Sequence, residues 1–297
     1  MISNTTEEIV HKILNKISNN NAMSPNAIST GIPSLDNTIG GWEHGVTIIS
    51  ARPSMGLTAF CLNQVHSLLH SIQNDEVIVY VTDKDSATAL IQRLLAVATQ
   101  IELTNIQNGN LTEQEAAQIA SHPITKHLES NRLLFLTNSN PTLFQIRSLV
   151  FNQYKEGKKP KMLFVDCLQS IVDRGRDRSQ DITNVMMDIH LLSEEYKVPV
   201  LCTITLRNRL VEYRESKFPR LTDLDSRLVN EVERVFFLIR PDYYEIIDLP
   251  SDDTGELHLI IAKNEGPLDI LKLKMNRKNL SISENTDTFP YTQILKL

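Results

Sequence analysis

Eight short apolar runs constrain this chain more than any other feature. They are "GVTIISA" (45–51), "EVIVYVT" (76–82), "RLLFLT" (132–137), "KMLFVD" (161–166), "VPVLCTIT" (198–205), "RVFFLIR" (234–240), "ELHLIIAK" (256–263) and "ILKLKM" (270–275). Several are apolar at consecutive positions rather than at alternate ones, which suits strands covered on both faces of a parallel sheet. Helical patterns at 57–71, 86–99, 112–121, 141–155 and 180–196 separate the first five runs, and Thr112 with Glu115 has the spacing of a capping box. The last strands follow one another without helices, which predicts a short antiparallel edge. The reading is one doubly wound α/β domain over residues 28–280, with a C-terminal tail at 281–297.

In front of that domain, "TEEIVHKILNKIS" (6–18) places Ile9, Val10, Ile13, Leu14 and Ile17 on one helical face. A solitary helix of this length is marginal in water, so it needs a surface to dock on. The Asn-rich stretch that follows, with Pro25, reads as a linker, so residues 1–27 form an arm and the docking surface can belong to a neighbouring subunit.

Bulk composition excludes several classes. An apolar share of 41% and a charged share of 22% are those of an ordinary globular protein, and no segment has the uninterrupted apolar length of a membrane span. The acidic, polar N-terminus is unlike a signal peptide, and Cys61, Cys167 and Cys202 sit far apart in apolar runs as buried thiols, so the expected compartment is the cytoplasm. A formal charge of −6 argues against a protein that coats nucleic acid, though not against a local basic channel. The eight histidines show no ligand spacing, and no metal site is expected from them.

The first strand runs into "ARPSMGLT", Ala51 to Thr58. A phosphate-binding loop has a small residue, four others, Gly, Lys, and Ser or Thr; its amides cradle phosphate, its lysine meets the outer oxygens, and its hydroxyl holds Mg²⁺. Ala51, Gly56 and Thr58 fit, with Arg52, Pro53, Ser54 and Met55 between them, but Leu57 stands where the lysine belongs. The run "KMLFVDCLQ" ends its strand in Asp166, an acid that can hold Mg²⁺ through water beside such a loop or cap the next helix.

Taken together, "ISTGIPSLDNTIGGW", "ARPSMGLTAF", "FVDCLQ", "VPVLCTIT", "LRNRLVEYRESKFP", "TDLDS" and "IIAKNEGP" resemble, in order and spacing, the DnaB-type replicative helicases of bacteria and phages, in their C-terminal motor domain. The resemblance covers about 28–277 and implies a RecA-like fold, ATP with Mg²⁺, single-stranded DNA and a ring of subunits. The helix at 6–18 resembles the linker helix that packs on the adjacent subunit.

The same resemblance exposes four departures. Besides Leu57, the segment "TDKDS" puts Lys84 where the family carries the glutamate that polarises the attacking water. Thr205 takes the place of the sensor glutamine. The finger element reads "KNEGP", so Lys263 remains, the arginine is missing, and Glu265 lies nearby. An arginine finger is worth ~10³–10⁵ in rate and a positioned base ~10²–10⁴, so even the smallest of these losses disables a motor. Lys84 could carry the missing charge across the site, or stand solvated or paired with Asp166.

For nucleic acid, "DRGRDRSQD" (173–181) and "RNRLVEYRESKFPR" (207–220) resemble channel loops. The second offers Arg207, Arg209, Arg214, Lys217 and Arg220 to the phosphates of a single strand, unless those arginines pair with acids of the protein. The acidic, aromatic "PDYYEIIDLPSDDTG" (241–255) reads as a solvated hairpin or a partner site. Three functions compete: a non-hydrolysing DNA-binding or assembly protein, self-associating or in a mixed ring with a DnaB-type helicase; nucleotide binding without turnover, at weakened ATP/Mg affinity; and an ATP-dependent helicase. The departures favour the first two.

Overall fold

The computed structural model describes residues 27–171, 178–206, 214, 216–244 and 255–285. The arm helix at 6–18 therefore lies outside the described residues, as do Arg174, Arg176, Arg207 and Arg209.

Short helix α1 (Pro33–Ile39) precedes β1 (Gly45–Ala51) and α2 (Leu57–His70). Next come β2 (Glu76–Thr82), α3 (Ala87–Thr99), and three helices, α4 (Leu103–Asn108), α5 (Glu113–Ser121) and α6 (Pro123–Glu129). The chain continues through β3 (Leu133–Thr137), α7 (Leu143–Lys155), β4 (Lys159–Asp166), α8 (Leu168–Ile171), α9 (Arg178–Tyr196) and β5 (Pro199–Thr205). Helix α10 (Ser226–Asn230), then β6 (Arg234–Ile239), β7 (Glu256–Lys263), β8 (Asp269–Met275) and β9 (Ile282–Glu284) complete it.

The nine strands form one sheet in the order β3-β2-β4-β5-β1-β6-β7-β8-β9. Pairings among β1 to β6 are parallel, and those joining β6, β7, β8 and β9 are antiparallel, as the lack of helices between the late runs implies. Strand β9 lies beyond residue 280; its three residues are too few to show a pattern.

Alternate side chains of each central strand enter opposite cores. Ile49, Tyr80, Phe164 and Leu201 face α2, α3 and α6, packing on Phe60, Leu62, Val65, Leu94 and Ile124. Ile48, Val79, Val165 and Cys202 face α7 and α9, packing on Ile146, Val150, Met186 and Ile189. Two complete cores explain why these strands carry no polar face. Trp42 is 1% exposed, and its indole N–H donates to Gln64 Oε1 at 3.0 Å, so it is a packing residue. The helices start where their caps dictate: Ser86 accepts from Ala89 N, and Thr112 with Glu115 and Thr142 with Gln145 form reciprocal capping boxes.

Candidate functional site

The carboxyl ends of β1, β2, β4 and β5 lie on one edge of the sheet, with Ala51 beside Thr205 and Thr82 beside Asp166. Ligands of open α/β sheets bind at this edge. Beyond Ala51 the chain turns through 52–56 with positive φ at Ser54 (67°) and Gly56 (98°). Left-handed residues interleaved with ordinary ones turn successive amides inward, making a concave anion nest. Met55 between them is 1% exposed and anchors the loop, while Pro53 and Ser54 stay exposed and Arg52 is partly so. The positive φ of Gly56 demands glycine, and a Cβ there would also come to a tight 3.3 Å from Met275 Sδ.

Helix α2 begins at Leu57 with no side-chain cap, which leaves its first amides for an anion. Leu57 is partly buried and packs against the core beneath the loop. The position that would carry the loop's cation is thus built into apolar packing.

Thr58 Oγ1 donates to Asp166 Oδ2 at 2.8 Å, Tyr80 Oη to the same oxygen at 2.9 Å, and Thr203 Oγ1 to Oδ1 at 2.7 Å. Asp166 is 1% exposed. A buried carboxylate is tolerated when its oxygens are satisfied, and here hydroxyls from α2, β2 and β5 do so. Sequence reasoning missed Tyr80 and Thr203, whose only signal is a polar atom inside a strand buried on both faces. Proximity to Asp166 adds to burial in pushing the Tyr80 hydroxyl and the Cys61 thiol up.

Lys84 stands exposed two residues beyond β2, in a turn where its amide donates to Thr82 Oγ1 at 3.2 Å. Packing around its stem works against the charge. The neighbouring Cys167 and Asp166, with a hydrogen bond to Cys167, outweigh it and raise the ammonium above its ordinary range. Lys84 is therefore a cation at neutral pH, close to the acid.

Gln169 grips the tip of β5 by both backbone groups: Thr205 N donates to its Oε1 at 3.0 Å, and its Nε2 donates to Thr205 O at 2.8 Å. On the other side of the loop, Arg240 Nη1 donates to Ser54 O at 3.4 Å and Nη2 to Asp242 at 3.3 Å, and Asp242 also pairs with Arg277. The guanidinium of Arg240 lies 5.8 Å from the centre of the Tyr243 ring, which is 57% exposed. The start of the acidic segment therefore borders the phosphate loop; residues 245–254 of that segment lie outside the described ones.

The basic segment is partly committed elsewhere. Arg214 pairs with Asp223 at 2.7 Å, Lys217 Nζ donates to Arg214 O at 2.7 Å, and Arg220 is exposed. Lys263 Nζ donates to Val229 O and Val232 O, both at 2.6 Å, so it points at the end of α10 in its own chain. The three cysteines are free and buried. Among the described residues, no group of three or more His, Cys, Asp or Glu could hold a metal ion, and no helix is long and apolar enough to cross a membrane. Two histidines do converge, contrary to the sequence reading: His66 and His70, one helical turn apart, bring their Nε2 atoms to 3.0 Å.

A strand–loop–helix cradle on a mainly parallel sheet, with an acid ending a strand two places away, defines a RecA-like nucleotide-binding fold. The chain belongs to the DnaB-like helicase C terminal domain family, whose model matches residues 27–284. It is 28% identical to the replicative DNA helicase DnaC of Bacillus subtilis over 254 residues, covering 83% of this chain and 54% of that protein. It is likewise 28% identical to the replicative DNA helicase DnaB of Haemophilus influenzae over 284 residues, covering 93% and 59%. The chain thus spans a little over half the length of these relatives. Among solved structures, the ATPase domain of G40P superposes with a TM-score of 0.82 at 23% identity, covering 95% of this chain and 99% of that one. A DnaB-like replicative helicase, described with its interactions with primase, superposes at 0.81 and 22%, covering 95% and 67%. At these identities the two likenesses speak for the fold alone.

Proposed function

We propose that this chain is a non-hydrolysing member of its family, acting in DNA replication as a DNA-binding or assembly module whose nucleotide pocket has lost its chemistry. The observation that carries this reading is the pair Leu57 and Lys84. The first puts an apolar, partly buried side chain where the loop's cation belongs, and the second puts a cation where the family carries its water-polarising carboxylate. Asp85, the nearest acid on that turn toward α3, pairs with Arg93 at 2.8 Å. Asp166 is engaged by three hydroxyls.

The cradle still fits a polyphosphate, through its nest and the uncapped start of α2. Thr58 and Asp166 are the residues that would hold Mg²⁺, which would neutralise phosphate charge there. What the chain's own residues do is bind and orient. Lys84 takes the place of the family's base, and Lys263 is turned inward onto Val229 O and Val232 O. A residual role for nucleotide as an assembly ligand follows from the intact Ala51–Gly56–Thr58–Asp166 frame, with residues 207–220 as the segment that would meet single-stranded DNA.

Sedimentation of the full chain with and without ATP and single-stranded DNA, alongside phosphate release in the same samples, tests this. The expected outcome is assembly or DNA binding without release. Release that vanishes in Asp166→Ala would establish a motor instead.

A further inference from the structure

The two departures at the pocket are complementary in place as well as in charge. The loop lacks a cation because Leu57 packs inward. Directly across the pocket, the parallel register sets Thr82 against Asp166, and Lys84 follows two residues later on the same edge. Its turn is fixed at both ends, by the Lys84 amide on Thr82 Oγ1 and by Ser86 capping α3. Within the protein the ammonium is hydrogen-bonded to Cys167 and attracted by Asp166 and Asp83, and it keeps donors to spare. Asp85 is taken by Arg93, and Lys84 forms no ion pair with a carboxylate among the described residues. Asp166, bonded to Thr58 of the phosphate loop, lies close enough to sense the ammonium, and so does Cys61 on the first turns of α2. An exposed lysine at the mouth, with a flexible stem and three donors, can meet an oxyanion seated on the loop. Compared with the family pattern it resembles, position 57 loses one positive charge and position 84 gains two, which offsets the arginine missing from the finger element.

We propose that Lys84 is the phosphate-contacting cation of this pocket. A polyphosphate, carried by a nucleoside or free, is held between the loop amides of Ser54 and of residues 56–58 and the ammonium of the turn between β2 and α3. This deepens the non-hydrolysing reading and rests on it: the same substitution that removes the base supplies the anchor. Binding is preserved while the attacking water is left without an acceptor for its proton.

Calorimetric titration of the full-length chain with the β,γ-imido analogue of ATP, and in parallel with inorganic tripolyphosphate, tests the assignment. Wild type is expected to bind. Lys84→Ala should weaken binding about 10- to 100-fold, the scale of one charge-assisted hydrogen bond. Lys84→Arg should stay within a few fold of wild type, and Leu57→Lys added to Lys84→Ala should recover affinity. Equal weakening for both ligands marks the phosphates as the contact, and tighter binding of the analogue shows that the pocket also takes the nucleoside. Affinity unchanged in Lys84→Ala, or no binding by folded wild type, overturns the assignment. Both results leave the non-hydrolysing reading standing, which only phosphate release can remove. Lys84→Gln, with circular dichroism on each variant, guards against a loss due to misfolding.

Discussion

Thr203, in the interior of β5, donates its hydroxyl to Asp166 at the end of β4 across 2.7 Å. Both residues are out of solvent, at 0% and 1% exposure. With Thr58 and Tyr80 on the second oxygen, the acid joins the phosphate loop, two strands and the sheet edge in one hydrogen-bonded unit. That unit holds the pocket's shape independently of any turnover.

Thr203→Val therefore should destabilise the fold, because Oδ1 loses its donor where water cannot replace it. A buried acceptor left unpaired costs about 1–3 kcal/mol. Urea denaturation should show a lower midpoint at an unchanged m-value. A midpoint equal to wild type would mean that the bond contributes nothing.

Gln169→Ala should free the tip of β5. Two side chain to backbone bonds on Thr205 disappear, about 1–2 kcal/mol together at a partly exposed site. Hydrogen exchange should quicken at the Thr205 amide while amides in the middle of β5 keep their protection. Uniform loss across the strand would point to general unfolding instead.

Acid should weaken α2 through His66. Burial, then the neighbouring His70 and His122, hold its pKa down at about 4. A depressed histidine is neutral in the fold and protonates more readily unfolded, so its contribution is complete above about pH 6.5 and is lost as pH falls toward 4. With solvent screening at a partly exposed pair, the loss is on the order of 1–2 kcal/mol. Thermal melts of His66→Gln should be flatter between those pH values than those of wild type. An identical acid limb would count against the coupling.

Much of this was legible from residues alone. The consecutive apolar runs reported strands buried on both faces, being short and rich in β-branched and aromatic residues, and each has alternate residues in separate cores. The Thr112–Glu115 box and the loop glycine were local signals with local causes. What escaped was set by register. The pairing of Thr82 with Asp166 bears out Lys84 near the acid, one of the sequence's readings, while only strand order shows Thr203 beside it. Short helices such as Leu103–Asn108, with no buried residue, carry no apolar stripe to detect. The pair His66 and His70 was readable by its spacing of four and was overlooked.

Within the segment proposed to meet single-stranded DNA, Arg214 is already paired inside the protein. Arg214 pairs with Asp223, a side chain 5% exposed, so Arg214→Ala should cost stability and leave the salt dependence of single-strand binding unchanged. Neutralising a residue that contacts phosphate lowers the slope of log affinity against log salt by about 0.7 per contact on a single strand. Fluorescence titrations over a salt series distinguish the two. A shallower slope in Arg214→Ala would place that arginine on DNA.

The proposed lack of turnover is tested directly by the rate of phosphate release from ATP by the full chain with single-stranded DNA. With Lys84 in place of the water-polarising carboxylate and Leu57 in place of the loop's cation, the predicted rate equals that of Asp166→Ala. Release at an ordinary enzyme's pace, on the order of 1–10³ s⁻¹, and abolished in Asp166→Ala, would contradict it.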